Sequence, residues 1–306
     1  MSTENMKISL SSAITNAVMN KKPLVIVEGK DDLGIYCELI NGIDEHFNIK
    51  PIEYFKDCSP GCKEIERQIT EINSIYPTGH KAYSFFKGIV DRDTKYFRGE
   101  LLARDGILYL DSYSFESEFV SESSIIDTVK LLTAASHEQL NIKLSQKLLD
   151  LINEQFTDFY YIALEALKNS VIDGYQGLVG FSDGYEQMLN DPNMKEALKN
   201  KRTDLDIFAS SMNIAPNGII SMKSYCKGKW HLRYFLSSVQ NLISGIHAYC
   251  GSDLSSCPYC EVGEHQKCLY KPAIKINIEH VIKTVKSNLN NANLDYIKFE
   301  IGKMKS

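Results

Sequence analysis

The sequence predicts an α/β protein with a central, mostly parallel sheet flanked by helices, and three observations predict it. Short apolar runs such as 24–27 and 107–110 alternate with stretches whose apolar residues recur at helical spacing. The order strand, helix, strand, helix, strand, short connection, strand is the one that right-handed crossovers between parallel strands produce. Acidic residues stand where the strands finish, Glu28 after the first and Asp91 and Asp93 after the third, and sheets of this kind gather functional groups outside the carboxyl ends of their strands.

In order along the chain, 6–20 spaces Ile8, Leu10, Ile14 and Val18 as a helix leading into the first strand. Leu24, Val25, Ile26 and Val27 are β-favouring and read as a buried strand, Gly29 opens a turn, and Asp31 or Asp32 is available to cap the next helix. That helix covers 31–41 through Leu33, Tyr36, Leu39 and Ile40, with Gly42 as its stop. Alternation over 50–55 predicts a strand, the turn 57–61 breaks it, and 62–75 is a helix with Ile65, Ile69 and Ile72 on one side. A strand over 81–90, a helical turn near 96–102 and a strand over 107–110 closed by Asp111 complete the α/β part. From 118 to 210 the periodicity is that of long helices, with Ile125, Ile126, Val129, Leu132, Leu144, Leu148, Leu149 and Ile152 as core stripes and a glycine-rich loop over 173–184. The last part holds a basic stretch, a cysteine cluster and a helix over 278–289. The expected organisation is a core over 1–120, a helical insertion over 121–215 and a C-terminal basic and cysteine-rich region over 216–306 that packs back on the core.

A chain of 306 residues, 43% of them hydrophobic, has enough apolar material for a sizeable core. It has no apolar run of membrane-spanning length and no signal-peptide pattern, so a cytoplasmic protein is expected, with no membrane partner. In that compartment eight cysteines stay reduced, and a cluster of them points to metal before disulfides. The net charge of −5 disfavours nucleic acid as a partner until its distribution is considered: 221–306 holds twelve Lys and Arg against six Asp and Glu, leaving −11 for the remainder.

Glu28 taken alone is either a solvated loop acid or a metal ligand. Asp91-x-Asp93 is 63 to 65 positions further on, and a parallel sheet would bring the three carboxylates to one edge. Like charges so placed repel unless a divalent cation neutralises them, and Mg2+ (or Mn2+) suits a few carboxylates while keeping waters for a phosphate. Hydrolysis of a phosphodiester is the chemistry such a site would serve.

Val27-Glu28-Gly29-Lys30-Asp31-Asp32 together with Val90-Asp91-Arg92-Asp93 resembles the two motifs of the TOPRIM domain, shared by topoisomerases, bacterial primases and nucleases of the OLD type. Ser112-Tyr113-Ser114-Phe115-Glu116 is similar to an element that follows a later strand in stand-alone OLD-like TOPRIM proteins of phage defence, and the resemblance spans about residues 20–120. It implies a TOPRIM core in which Glu28 is a metal ligand or proton-transfer group, Asp91, Asp93 and Glu116 bind Mg2+, and Asp32 belongs to the catalytic set. It also implies an endonuclease that acts as a toxic effector, with RNA, and tRNA in particular, as substrate and a homodimer as the active form. The sequence lacks Gly-x-x-x-x-Gly-Lys-Ser/Thr, so an ATPase would be a separate partner.

The stretch 226–235 mixes Lys227, Lys229 and Arg233 with Trp230, Tyr234 and Phe235, as nucleic-acid surfaces do and as the start of an amphipathic helix does. OLD-like nucleases carry a late lysine near the metals, and Lys229, or less favourably Lys227, is the candidate for stabilising charge on the phosphate. Cys250, Cys257, Cys260 and Cys268 fall within 19 residues around a Cys-x-x-Cys knuckle, with His265 near, which predicts a closed structural Zn2+ site. Cys58 and Cys62 flank a turn and a helix start and are expected to pack.

Overall fold

A computed structural model describes residues 7–41, 47–289 and 292–304. By compactness the chain falls into two units, one of residues 1–92, 100–111 and 292–306, the other of 93–99 and 112–291.

In the first unit, helix α1 (Leu10–Asn20) starts at Ser9, whose hydroxyl accepts the Ser12 N–H at 3.2 Å, and stops at Lys21 in the left-handed region. It is shorter than the expected 6–20 because Ser9 supplies the cap, and Met6 lies outside the described residues. Strand β1 (Leu24–Val27) is buried throughout, and α2 (Lys30–Asn41) follows. The expected stop at Gly42 also lies outside the described residues. Strand β2 (Asn48–Pro51) comes earlier and is shorter than the expected 50–55, because Pro51 has no N–H to extend a ladder and the chain turns into a 3-10 helix over Ile52–Tyr54. Helix α3 (Cys62–Ile75) buries Ile65, Ile69 and Ile72 as their spacing predicts. The expected strand over 81–90 is only its second half. Lys81–Ser84 is a 3-10 helix, capped by His80 Nδ1 accepting the Ala82 N–H at 3.2 Å, and β3 is Phe86–Val90. With β4 (Ile107–Tyr109) these strands form a four-stranded, all-parallel sheet in the order β2-β1-β3-β4 among the described residues.

Residues on successive strand positions face opposite sides. Leu24, Ile26, Phe86 and Val90 join Leu10, Ile14, Ile65, Ile69 and Ile72 in one cluster between the sheet and helices α1 and α3. Helix α3 sits so close to β3 that a Cβ at Gly88 would lie 2.5 Å from Ile65 and 2.7 Å from Ile69, which is why a glycine occupies a strand interior.

The second unit is helical. It comprises α4 (Lys95–Arg98), α5 (Glu122–Leu132), α6 (Ile142–Gln155), α7 (Thr157–Val171), α8 (Tyr185–Asn190), α9 (Pro192–Ser211), α10 (Gly228–Ile246), α11 (Pro258–Glu261) and α12 (Ile278–Lys286) among the described residues. Ile125, Val129, Leu132, Leu144, Leu148 and Ile152 are buried, while Ile126 and Leu149 are partly exposed at the edge of their stripes. The glycine-rich loop after α7 is pinned by the buried Glu165, whose carboxylate meets Lys201 Nζ at 2.6 Å, the Tyr175 hydroxyl at 2.7 Å and the Leu178 N–H at 2.8 Å. The final helix, α13 (Asp295–Gly302), belongs to the first unit and packs on α2. Among the described residues no helix is long and apolar enough to cross a membrane.

Candidate functional site

Glu28 follows the last residue of β1, and continuing the β1–β3 register from Ile26 opposite Gly88 sets it beside Val90. Its Oε1 accepts the Asp91 N–H at 2.9 Å, so the glutamate closes the ladder with its side chain where the strand has run out of backbone. Its carbonyl accepts the Gly61 N–H at 2.9 Å, which ties the turn before α3 to the same strand end. The residue that caps α2 is Glu53, whose Oε1 accepts the Lys30 N–H at 2.9 Å. Asp31 and Asp32 instead occupy the first turn of α2, where the helix dipole favours acids, Asp31 exposed and Asp32 half-buried.

Asp32 and Tyr36 are one turn apart on α2 and so share a face. Tyr36 is buried, and burial, then the charges of Asp91 and Asp32, then Tyr296 and Glu28, hold its hydroxyl well above the usual tyrosine range. Glu28, Asp32 and Asp91 thus act on one buried phenol within the first unit. Tyr296, on α13, accepts the Asp111 N–H at 3.1 Å just after β4.

Asp93 and Glu116 belong to the second unit. Asp93 adopts the left-handed region (φ 47°) and donates its N–H to the Tyr113 carbonyl at 2.8 Å, while Tyr113 donates to the Lys223 carbonyl at 2.7 Å. Glu116 stands in a 3-10 helix over Phe115–Phe119, where Oε2 accepts the Ser114 hydroxyl at 2.9 Å and Oε1 lies 3.9 Å from Lys286 Nζ. The start of α10 is pressed against this segment: a Cβ at Gly228 would lie 2.0 Å from Ser114 Oγ.

From Gly228 on, the stretch 226–235 is the start of the amphipathic helix α10. Trp230, His231, Leu232 and Phe235 are buried, Tyr234 stacks on Phe159 at 4.0 Å, and Arg233 pairs with Glu186 at 2.5 Å and with Glu279. Its aromatics therefore belong to the core and are not a platform for bases. Lys229 is exposed in the first turn of α10, whereas Lys227 donates to the Phe181 carbonyl at 2.6 Å.

The four cysteines do come together. The Sγ atoms of Cys250, Cys257, Cys260 and Cys268 lie within 4.8 Å of one another, close enough to hold a metal ion. Cys257 and Cys268 are 3.9 Å apart, near the edge of about 3.8 Å that a tetrahedron of Zn–S bonds of about 2.3 Å requires. The Cys257 N–H donates to Cys250 Sγ at 3.2 Å. Burial works against ionisation of Cys257, but N–H groups of Leu269 and Cys260 and the surrounding thiols outweigh it and bring the thiol down to about 7. Burial, reinforced by its neighbours, raises Cys260. His265 is exposed and is not part of the group. Cys58 and Cys62 pack against the core of the first unit, and burial pushes the Cys58 thiol up to about 11.

Among the described residues these thiols are the one set of His, Cys, Asp and Glu within reach of a single ion, and Glu28, Asp91, Asp93 and Glu116 do not form a second. Glu28 turns toward the Asp91 amide, and Glu116 toward Ser114. Tyr36, Tyr296 and Glu53 are not marked by any motif, since a lone tyrosine or glutamate has no spacing that announces it. No family model matches the chain, and no curated protein matches it.

Proposed function

We propose that the chain is a TOPRIM nuclease of the OLD-like type, similar to AriB, the effector of the PARIS anti-phage system, and that it cleaves phosphodiesters in RNA, with tRNA as the favoured substrate. The observation that carries the reading is the pairing of Glu28 Oε1 with the Asp91 N–H at the carboxyl ends of the two central strands of a parallel sheet. Carboxylates are the hard oxygen donors that Mg2+ or Mn2+ takes, and the reading gives that role to Glu28 and Asp91 at these strand ends. When bound, the ion supplies Lewis acidity toward the phosphate and a more acidic water. Within the chain, Glu28 holds the end of β3 and either ligates or moves the proton of the attacking water, and Asp91 fixes its partner's position. The cysteine group is assigned to a structural Zn2+, since four protein thiols leave no open coordination position. The active form is taken as a homodimer, working with a partner ATPase.

A second reading, a catalytically inactive TOPRIM subunit that regulates or binds nucleic acid within an ATPase complex, is favoured by the absence of a grouped acid set among the described residues. Incubation of purified protein with tRNA and with duplex DNA in Mg2+ or Mn2+, beside E28Q and D91A, separates the two. Cleavage of tRNA by the wild type and a loss of about 100-fold or more in both variants is expected. Cleavage of DNA alone would make it a DNA nuclease. No cleavage by the wild type, or equal cleavage by all three, removes the active-site assignment.

A further inference from the structure

We propose that the seam between the start of α10 and the end of α12 is an RNA-docking surface, where Lys229 and Lys283 face each other and hold the phosphate backbone between them. The inference rests on the reading of RNA as substrate and names the face that binds it, away from the carboxylates.

The two lysines are brought together by the way the helices run. Gln240 Nε2 donates to the Ile276 carbonyl at 2.7 Å, and two turns nearer the start of α10 Arg233 pairs with Glu279. Going back along α10 is therefore going forward along α12, and the helices pack antiparallel. Residues four apart on a helix share a face. One turn back from Arg233 stands Lys229, and one turn on from Glu279 stands Lys283. Beyond the one opposite-charge pair the seam thus continues with two like charges, both exposed. Among the described residues no ion pair or hydrogen bond holds either of them. The next lysine, Lys286, turns to the last acid of this end, Glu116, at 3.9 Å.

Facing cations repel, and an anion that reaches both removes the repulsion while gaining two charge-assisted contacts. The chemistry of the surroundings narrows the anion. Residues 271–289 hold four lysines and a single acid, Glu279, which Arg233 already engages, so the charge of this segment suits a chain of phosphates. The exposed neighbours Ser287 and Asn288 are polar, which fits a hydrated backbone and gives a lipid surface no apolar face to receive. Trp230 and Phe235 are buried, so no ring is offered to a base, and the surface reads phosphates without reading sequence.

The test measures binding apart from cleavage. Full-length protein without added divalent cation is titrated into labelled tRNA at several KCl concentrations, and anisotropy is read for wild type, K229A/K283A, K229R/K283R and K195A/K199A. The last removes the same charge from two exposed lysines of α9. Loss of both phosphate contacts is expected to weaken binding and to lower the slope of log affinity against log salt by about 2, about 1 for each lysine. The arginine variant should bind like wild type and the α9 variant should keep the wild-type slope. An unchanged slope in K229A/K283A overturns the proposal. So does an equal fall in K195A/K199A, which would make the effect one of net charge, or an arginine variant that binds as poorly as the alanine variant although thermal unfolding shows it folded. Binding of the wild type, but not of K229A/K283A, to phosphatidylserine vesicles with no binding of tRNA would assign the face to membranes and overturn it as well. Restoring Mg2+ separates this inference from the nuclease reading. A wild type that binds tRNA through the two lysines and cuts nothing ends the nuclease reading and leaves the surface standing. One that cuts tRNA with the same KM in K229A/K283A ends the surface and leaves the nuclease, and one that neither binds nor cuts tRNA ends both.

Discussion

His231 shows how burial alone converts a residue into a pH-dependent element of stability. Its Nε2–H donates to the Ile219 carbonyl at 2.7 Å, and Nδ1 is buried with no partner, so the ring is neutral. Burial, with a smaller contribution from the charge of Lys223 and partly opposed by the bond to Ile219, lowers its pKa to about 4. The unfolded chain takes up this proton near the ordinary value of about 6.5, so stability is complete above that pH and is lost as pH falls from about 6.5 to about 4, by about 3 kcal/mol in all. In H231Q the amide keeps a donor for Ile219, and urea unfolding at several pH values should show a flatter dependence across that window. An unchanged slope would assign the acid sensitivity to other groups. At this scale the sequence was informative where geometry follows from a strand's end, as at Glu28 and Asp91, and silent where it follows from tertiary burial. Nothing about a single histidine in a basic stretch says that its ring is sealed against Ile219, and nothing about Tyr36 says that its side chain is buried.

Among the elements, those whose pattern is set by one neighbour were legible. Helix α3 and strand β1 present one apolar face or an apolar run, and each was placed within a residue of its bounds. The segments 50–55 and 81–90 read as strands, yet a proline and a histidine cap divert half of each into 3-10 turns, because the bond from the Phe55 N–H to the Ile52 carbonyl and the cap by His80 win over the ladder. The cysteine segment is legible for another reason: thiol spacing encodes its own contact. Tyr270 in this segment donates its hydroxyl to the Gln139 and Ser255 carbonyls at 3.1 and 3.3 Å, and Ala134 N–H reaches the Leu269 carbonyl at 3.2 Å, so the loop bearing the thiols is tied to the chain after α5. Stoichiometric zinc should be found in the purified protein and lost in C257S. Chelation should raise hydrogen exchange over Cys250–Leu269 and at Ala134 while leaving the sheet amides protected. Zinc-free protein with unchanged exchange there would show four thiols that merely pack.

At the scale of the whole molecule, the linear pattern leads to a C-terminal region that packs back on the core, but it hides that the chain rejoins the first unit only from Ala292 on, after 180 residues of the other unit. Helix α13 carries Ile297 and Ile301, both fully buried, with Leu294 before it and Met304 after it buried as well. An eight-residue amphipathic helix records that one side is covered but not by what, so the expectation that 216–306 packs back on the core does not single out its last turns as the part that belongs with β1 and α2. Burying four such side chains is worth about 2 kcal/mol each, and ordering a segment of that length costs a comparable amount, so the segment alone is close to neutral. What decides its importance is the apolar surface of α2 that it covers, since a domain's net stability is only about 5–15 kcal/mol. Truncating Ile297 to alanine is therefore expected to cost about 2–5 kcal/mol. Removing residues 292–306 should selectively expose the first unit, with lost amide protection in β1, β3 and α2, while α5 to α12 keep theirs. Hydrogen exchange followed by peptide mass spectrometry reads both outcomes in one experiment. Loss of protection spread evenly over 112–291 would mean that the two units do not unfold separately and that α13 stabilises the chain as a whole.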